Sequence, residues 1–156
     1  MFLYHKFQYT ISNIADIFAY VGVWIVVAQA GLIRPLSKRF KPHQILRITI
    51  FTLSIALFMI TVPDKSIYLF FVIPFVSLSQ GLTLPNSNTI VSNSVSPDRQ
   101  GEILGINQSV TSLAMSIPPI VAAYLTNIDI NLPTWTASSL ILLAWLVFIV
   151  FHKPKN

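Results

Sequence analysis

The stretch from Ile103 to Leu125 reads ILGINQSVTSLAMSIPPIVAAYL and contains no charged residue. Its length is that of an α-helix that crosses the hydrocarbon core of a bilayer, for which about 20 mostly apolar residues are needed. Similar stretches lie on both sides of it, between breaks marked by charges or prolines. The sequence predicts five transmembrane helices, at Ile14–Ile33, Ile45–Val62, Ile67–Val91, Ile103–Leu125 and Trp135–Phe151.

The composition of the whole chain supports this prediction. Its 156 residues are 54% hydrophobic and only 10% charged, with no cysteine. A soluble domain keeps roughly a quarter of its residues charged, and a disordered chain combines low hydrophobicity with high charge. Without cysteine, a disulfide scaffold and a thiolate metal site are both excluded. The sequence therefore predicts an all-α membrane protein, with residues 1–156 forming a single transmembrane domain in the lipid bilayer.

The net charge of +5 indicates how the chain is oriented. Most basic residues cluster at the first break, the third break and the C-terminal tail, namely Arg34, Lys38, Arg39, Lys41, Arg47, Arg99, Lys153 and Lys155. Because short loops rich in Lys and Arg resist translocation, these segments are predicted to face the cytoplasm, which leaves the N-terminus outside. A nucleic-acid partner is not expected, since the chain has no groove-reading motif and no basic patch interleaved with aromatic residues.

Carboxamide side chains are distributed unevenly among the predicted helices. They occur in the first, third and fourth helices and are absent from the second and fifth. A carboxamide is costly in hydrocarbon unless it meets a partner or lines a wet cavity. We therefore predict a polar cavity shielded from lipid by the second and fifth helices; the alternative is that each amide bonds a neighbouring helix. The cavity-lining candidates are Gln29, Gln80, Asn86, Asn88, Asn107 and Gln108.

Small residues and prolines indicate close packing and bending. In the fourth predicted helix the small residues share one face, on which another helix can approach closely; they are Gly105, Ser109, Ser112 and Ser116. A proline inside a helix removes a backbone donor and clashes with the preceding turn. The pair Pro118 and Pro119 is therefore predicted to kink this helix near Ser116, and Gly81 with Pro85 to bend the third.

A search for catalytic and metal-binding groups finds no complete set. His5, His43 and His152 lie in flanks or loops, separated by the membrane, and cannot share a metal. No pair of carboxylates is placed for hydrolysis, and no glycine-rich loop is present that could bind phosphate. The chain is therefore not expected to be an enzyme, and neither a cofactor nor a metal is predicted.

Two segments carry a family resemblance. The first, Gly31–Phe40, resembles the loop between the eighth and ninth helices of major facilitator superfamily transporters, with Gly31, Arg34, Lys38 and Arg39 as its signature. The second contains Gly81 and Pro85 and then SPDRQGE at Ser96–Glu102, followed by Gly105 and Ser109. It is similar to the tenth and eleventh helices of the tetracycline and multidrug efflux antiporters. The first segment departs from the family signature, because Pro35 stands at its acidic position.

The resemblance covers the whole chain but only the last five of the family's twelve helices. It implies small-molecule or drug efflux by proton antiport in the full-length form, in the bacterial cytoplasmic (inner) membrane. Cavity amides without a fixed charge favour neutral or amphipathic substrates. A truncated C-terminal fragment is expected to be inactive alone, with the N-terminal half as a partner if that half exists as a separate chain. The alternatives are a small membrane interaction protein and, as the weakest, an intramembrane enzyme.

Overall fold

The computed structural model describes residues 9–62 and 65–151. Within these ranges all regular structure is helical. Among the described residues, five helices are long and apolar enough to cross a membrane, which confirms the predicted all-α membrane fold. The predictions that concern His5, His152, Lys153 and Lys155 lie outside the described residues.

The five helices follow one another through short connections. α1 contains one turn of π-helix, Val27–Leu32, and short 3₁₀ turns precede α3 and α4. Because the connections are short, consecutive helices run in opposite directions. The helices are α1 Ile11–Arg39, α2 Pro42–Thr61, α3 Leu69–Ser92, α4 Gln100–Thr126 and α5 Leu132–Phe151.

The segment predicted as a basic loop is helical, which corrects that prediction. Gly31 lies in the π-helical turn of α1, and Arg34, Lys38 and Arg39 lie in the α-helical segment Ile33–Arg39 that follows it. A proline is tolerated in the first turn of a helical segment, so Pro35 does not end the helix. At 1.5 Å per residue α1 is about 43 Å long, longer than the hydrocarbon core of about 30 Å, and its basic end extends beyond that core.

α3 lies at the centre of the bundle, between α1 and α2. Two clusters of buried side chains hold it there. One joins α1 to the start of α3, and the other joins α1, α2 and the second half of α3. The clusters are Ile17, Leu69 and Ile73, and Ala28, Ile45 and Leu82.

Tyr20 of α1 compensates for a proline in α3. Pro74 has no backbone N–H, so the carbonyl of Phe70 lacks the donor that an α-helix normally supplies four residues later. The hydroxyl of Tyr20 donates to this carbonyl oxygen at 3.1 Å. The contact therefore satisfies a backbone group and joins α1 to α3.

α2 is packed on two sides, which modifies its predicted role as a shield. The hydroxyls of Ser54 and Ser138 each donate to the other's carbonyl oxygen, at 2.9 and 2.8 Å, and join α2 to α5. Toward α3, Thr83 Oγ1 donates to Thr49 Oγ1 at 3.0 Å. Serine and threonine hydroxyls can bond to backbone carbonyls and so tolerate burial in these contacts. The exposed side of α2 is apolar and consists largely of Ile48, Phe51, Ile55, Phe58 and Met59.

α4 is the least enclosed helix. It contacts α3 and α5, yet none of its residues is buried. The α-helix continues through Pro118 and Pro119 to Thr126. Most of the surface of α4 is therefore open to whatever surrounds the bundle.

Candidate functional site

Three glutamines project from the helices that were predicted to line a cavity. Gln29 lies in the π-helical turn of α1, Gln80 in the middle of α3 and Gln108 in the first half of α4, and all three are exposed. The carboxamide nitrogen of Gln108 lies 3.4 Å from the hydroxyl of Ser112, one turn further along α4. π-helical turns occur frequently at functional sites. The glutamines are therefore the candidate residues that can reach a solute.

The three asparagines of the predicted set are used inside the bundle. Asn86 is buried, and its carboxamide nitrogen donates to the carbonyl oxygen of Leu82 at 2.7 Å. Asn107 Nδ2 donates to Asn88 Oδ1 at 3.0 Å, which connects α4 to α3. For Asn88 and Asn107 the structure therefore shows the alternative arrangement, in which amides bond neighbouring helices.

Gly81 marks the closest approach between α1 and α3. A Cβ atom built on Gly81 would lie 2.8 Å from the Cβ of Ala28 and 3.3 Å from the carbonyl oxygen of Ile25. Ala28 itself is 0% exposed. A glycine is required here because two backbones meet, and the contact brings Gln29 and Gln80, each next to a contact residue, to the same level of the bundle.

The small-residue face of α4 has no partner in the described structure. A Cβ atom on Gly105 would meet nothing within 4 Å. The hydroxyls on this face bond within α4, with Ser109 donating to the carbonyl oxygen of Gly105 at 3.0 Å and Ser116 to that of Leu113 at 2.7 Å. The predicted close helix contact on this face is therefore not made by α1, α2, α3 or α5.

Sequence reasoning missed an apolar groove of about 520 Å³ between α4 and α5. A recurring pattern of three- and four-residue spacings on both helices is the signal that could have indicated it. We call it the α4–α5 groove. From α4 it is lined by Ala114, Ile117, Pro118, Val121, Ala122 and Leu125, and from α5 by Pro133, Thr136, Ala137, Leu140 and Ile141.

Charged groups lie toward the ends of the helices. Arg34, Lys38 and Arg39 are exposed in the last turns of α1. Where α4 begins, Arg99 Nε donates to Glu102 Oε2 at 3.0 Å, and both side chains are largely exposed. Among residues 9–62 and 65–151, no group of three His, Asp or Glu side chains could hold a metal ion. Hydrogen bonding by uncharged amides is thus the chemistry that these helices offer at membrane depth.

Comparisons with known proteins agree with this architecture. The model of the Major Facilitator Superfamily matches residues 1–156. Multidrug resistance protein 2 of Bacillus subtilis (strain 168) is 26% identical over 100% of this chain and 39% of its own length. Multidrug resistance protein 1 of the same organism is 23% identical over 100% of this chain and 40% of its own length.

A shorter match is to the proton-coupled antiporter flippase LtaA of Staphylococcus epidermidis, which is 33% identical over 53% of this chain and 21% of its own length. No solved structure matches the chain significantly. The chain belongs to the Major Facilitator Superfamily, a family of membrane transporters. It spans about two-fifths of the length of the two Bacillus relatives.

Proposed function

We propose that this chain contributes the C-terminal portion of an efflux transporter. In the full-length form that transporter exports small neutral or amphipathic molecules in exchange for protons, across the bacterial cytoplasmic membrane. The chain alone does not transport. The names of the similar proteins, two multidrug resistance proteins and a proton-coupled antiporter flippase, support efflux by antiport.

Exposed carboxamides at two levels of α1, α3 and α4 carry the proposal. Gln29 and Gln80 share one level, which follows from the contact between Ala28 and Gly81. Gln108 is next to Asn107, which bonds Asn88 on α3. Gln80 and Asn88 lie about 12 Å apart along α3 at 1.5 Å per residue. In hydrocarbon such groups are tolerated where they line a wet cavity, so a polar wall along these three helices suits a substrate pathway.

The distribution of basic residues supports the proposed orientation. α1 ends, and α2 and α4 begin, on the same side of the bundle, because consecutive helices alternate in direction. Arg34, Lys38, Arg39, Arg47 and Arg99 all lie toward that side. By the positive-inside rule this side faces the cytoplasm, which puts the start of α1 on the outside.

Cysteine labelling tests the cavity, since the chain has no cysteine of its own. The protein used is a fusion in which the part of Multidrug resistance protein 2 that precedes the matched region is followed by this whole chain. We expect a membrane-impermeant maleimide to label Gln29→Cys, Gln80→Cys and Gln108→Cys. The controls lie on the opposite side of each helix, at about 100° per residue, and should stay unlabelled; they are Val27→Cys, Phe71→Cys and Val110→Cys.

Dye accumulation tests transport itself. Cells that express the fused protein should accumulate less of a cationic or neutral amphipathic dye than cells that express this chain alone, and a protonophore should abolish the difference. If the chain alone lowers accumulation, its proposed inactivity is wrong. If labelling is equal at the glutamine and control positions, the polar wall does not line a cavity and the proposal loses its main support.

A second candidate function is that of a small membrane interaction protein. The unpartnered face of Gly105, Ser109, Ser112 and Ser116 favours it, since small residues allow helices to approach closely. Disulfide crosslinking from Ser109→Cys and Ser112→Cys discriminates between the two functions. A stable crosslink to another membrane protein in cells supports the accessory role, whereas labelling at Gln108→Cys by a water-soluble reagent supports the transporter.

A further inference from the structure

Arg47 is a charged residue inside a helix that can cross the membrane. α2 contains 20 residues, Pro42–Thr61, and at 1.5 Å per residue it is about as long as the hydrocarbon core is thick. Arg47 follows Pro42 by five residues, which puts its Cα about 7.5 Å from the start of the helix. A charged side chain at such a depth needs a partner or must extend to the membrane surface.

The side chain of Arg47 has no acidic partner in the part of the chain that the structure describes. Arg99, at the same end of the bundle, donates to Glu102 Oε2 at 3.0 Å. Within residues 9–62 and 65–151, no acidic side chain lies within ion-pair distance of Arg47, and its side chain is exposed. A guanidinium carries five N–H donors and no acceptor. These donors are therefore available to a group outside the described chain.

An aromatic pair lies beside Arg47 at the boundary between α2 and α5. The indole Nε1 of Trp145 donates to the backbone carbonyl oxygen of Arg47 at 2.8 Å. The ring of Trp145 packs on that of Phe51, with centroids 4.8 Å apart and planes inclined by 33°. Tryptophan is enriched where the hydrocarbon meets the headgroups. The pair therefore provides a rigid apolar surface next to the guanidinium at this level of the bilayer.

Gln44 adds a second donor on the same side of α2. At 100° per residue, Gln44, Arg47 and Phe51 lie within about 60° of one another around the helix. Gln44 is exposed, and its Oε1 accepts the backbone N–H of Lys41 at 2.9 Å, which leaves its Nε2 to donate elsewhere. Side chains of a helix lean toward its N-terminus, and long basic side chains extend to the membrane surface. Arg47 therefore extends toward Gln44 and the headgroups.

We propose that Arg47 and Gln44 bind the phosphate of an anionic phospholipid, in the leaflet at the basic end of the bundle. A guanidinium can bond a phosphate through two parallel hydrogen bonds, and the acyl chains of the lipid then lie along the exposed apolar side of α2, over Ile48 and Phe51. Residues 34–47 contain five basic residues and no acid. This excess of positive charge favours an anionic lipid over a zwitterionic one.

The proposal requires a bilayer but not transport, so it goes beyond the proposed function. In the proposed orientation the leaflet concerned is the cytoplasmic one. A lipid in this place joins α2 to α5 through its headgroup and through the surface of Trp145. Dye export is judged separately, because its absence would count against the proposed function and leave the lipid site standing.

Quenching of Trp145 fluorescence tests the site. The chain contains three tryptophans, so Trp24→Phe with Trp135→Phe leaves Trp145 as the single fluorophore. The purified full chain is reconstituted in phosphatidylcholine vesicles that contain increasing fractions of dibrominated phosphatidylglycerol, or of dibrominated phosphatidylcholine as the reference. We expect phosphatidylglycerol to quench with an apparent affinity about fivefold higher, which is the contribution of one basic residue near a membrane surface.

Two variants separate a defined site from general attraction to an anionic membrane. Arg47→Gln should make the two brominated lipids quench equally. Lys38→Gln is the matched control, because it removes the same charge from the exposed end of α1 and should keep the preference. Arg47→Lys keeps the charge without the paired hydrogen bonds and should keep part of it. If Arg47→Gln and Lys38→Gln lower the preference equally, the attraction is diffuse and the proposal is overturned.

A second measurement uses the unchanged chain, in case Arg47→Gln loses its helical circular dichroism. Phosphatidylglycerol with a photoreactive headgroup is incorporated into the same vesicles, and its adducts are located by mass spectrometry. We expect adducts to concentrate between Gln44 and Phe51 and on Trp145. Adducts that are as frequent on the segment Ile33–Arg39 would overturn the proposal. So would loss of the preference for phosphatidylglycerol in excess inorganic phosphate, which would mean that the site binds a soluble anion.

Discussion

α3 and α4 look alike as sequence and differ most as parts of the structure. They contain 24 and 27 residues and reach the same mean hydropathy. α3 carries three carboxamides of the predicted set and α4 carries two, and each helix has two prolines in its interior. Yet α3 buries Ser77, Ser79 and Asn86, whereas α4 buries nothing. The difference teaches that burial in this bundle is decided by which neighbours a helix has and not by its own polarity.

The same comparison extends to backbone groups that prolines leave without a donor. In α3, the carbonyl of Phe70 receives the hydroxyl of Tyr20 from α1. In α4, Pro118 and Pro119 likewise remove the donors for Ala114 and Met115, and both of these residues are exposed. At Phe70 the packed helix α3 thus receives from its neighbour α1 the donor that Pro74 removes. The following predictions test this contrast, in order of decreasing effect.

Gly81→Leu should have the largest effect. A side chain at Gly81 meets Ala28 and the carbonyl oxygen of Ile25, so α1 and α3 must separate, at a cost of about 1 to 3 kcal/mol in the free energy of unfolding. The matched control is Gly105→Leu on α4, where a Cβ atom has open space. Reversible unfolding in mixed detergent micelles, followed by tryptophan fluorescence, measures both. Equal losses at the two glycines would contradict the contrast between α3 and α4.

Ser77→Ala should raise the stability. The hydroxyl of Ser77 is completely buried in α3 and has no hydrogen-bond partner. Removing a buried unsatisfied hydroxyl recovers part of its desolvation penalty, about 1 kcal/mol. Ser112→Ala on the exposed face of α4 serves as the control and should leave the free energy of unfolding unchanged. The same unfolding titration shows whether Ser77→Ala raises or lowers the free energy of unfolding. A lower value would mean that the hydroxyl of Ser77 has a hydrogen-bond partner and would contradict the prediction.

Asn107→Leu should weaken the connection between α3 and α4. It removes the donor to Asn88 Oδ1, and interhelical hydrogen bonds of this kind in membranes contribute on average about 0.6 kcal/mol. Gln108→Leu, one residue further along and bonded only within α4, should cost less. A double-mutant cycle with Asn88→Leu isolates the pair. An interaction free energy near zero would mean that the two amides serve the cavity and not the packing.

Tyr20→Phe should have the smallest effect. It leaves the carbonyl of Phe70 without its donor but keeps the ring packed, so we expect a loss of about 0.5 kcal/mol. Tyr124→Phe, in the exposed last turns of α4, is the control and should be neutral. The test is stronger when Tyr20→Phe is also introduced into a protein that carries Pro74→Ala. Residue 74 then has a backbone N–H that can donate to the carbonyl of Phe70, so Tyr20→Phe should no longer change the free energy of unfolding.

The candidate site was predictable only in part. The choice of α1, α3 and α4 as the polar helices came from counting carboxamides, but counting could not separate Gln80, which is exposed, from Asn86, which is buried and bonded to its own helix. The same limit applied to Gly81, which was assigned to bending and proves to be a contact between backbones. The neighbouring residues in the sequence do not tell an exposed carboxamide from a buried one, or a glycine that bends a helix from a glycine at a helix contact. The residues that make the difference come from a distant part of the chain.

The basic segment shows a different limit. Arg34, Lys38 and Arg39 were assigned to a loop because charge ends a hydrophobic run. The helix nevertheless continues to Arg39, since leaving the hydrocarbon removes the need for apolar side chains but not the backbone hydrogen bonding that favours a helix. Hydropathy therefore located the membrane boundary and not the end of the helix.

The amino-acid sequence by itself determined that the chain is helical, that it can cross a membrane five times, and that its motifs are those of one transporter family. These properties are local, because each span must satisfy its own backbone in hydrocarbon. Only the tertiary structure decided that α3 is central, that α4 is open on two faces and that an apolar groove lies beside α5. In a bilayer an apolar side chain gains little free energy when it contacts another helix and not a lipid acyl chain. The sequence pattern therefore indicates only weakly which helix faces pack together.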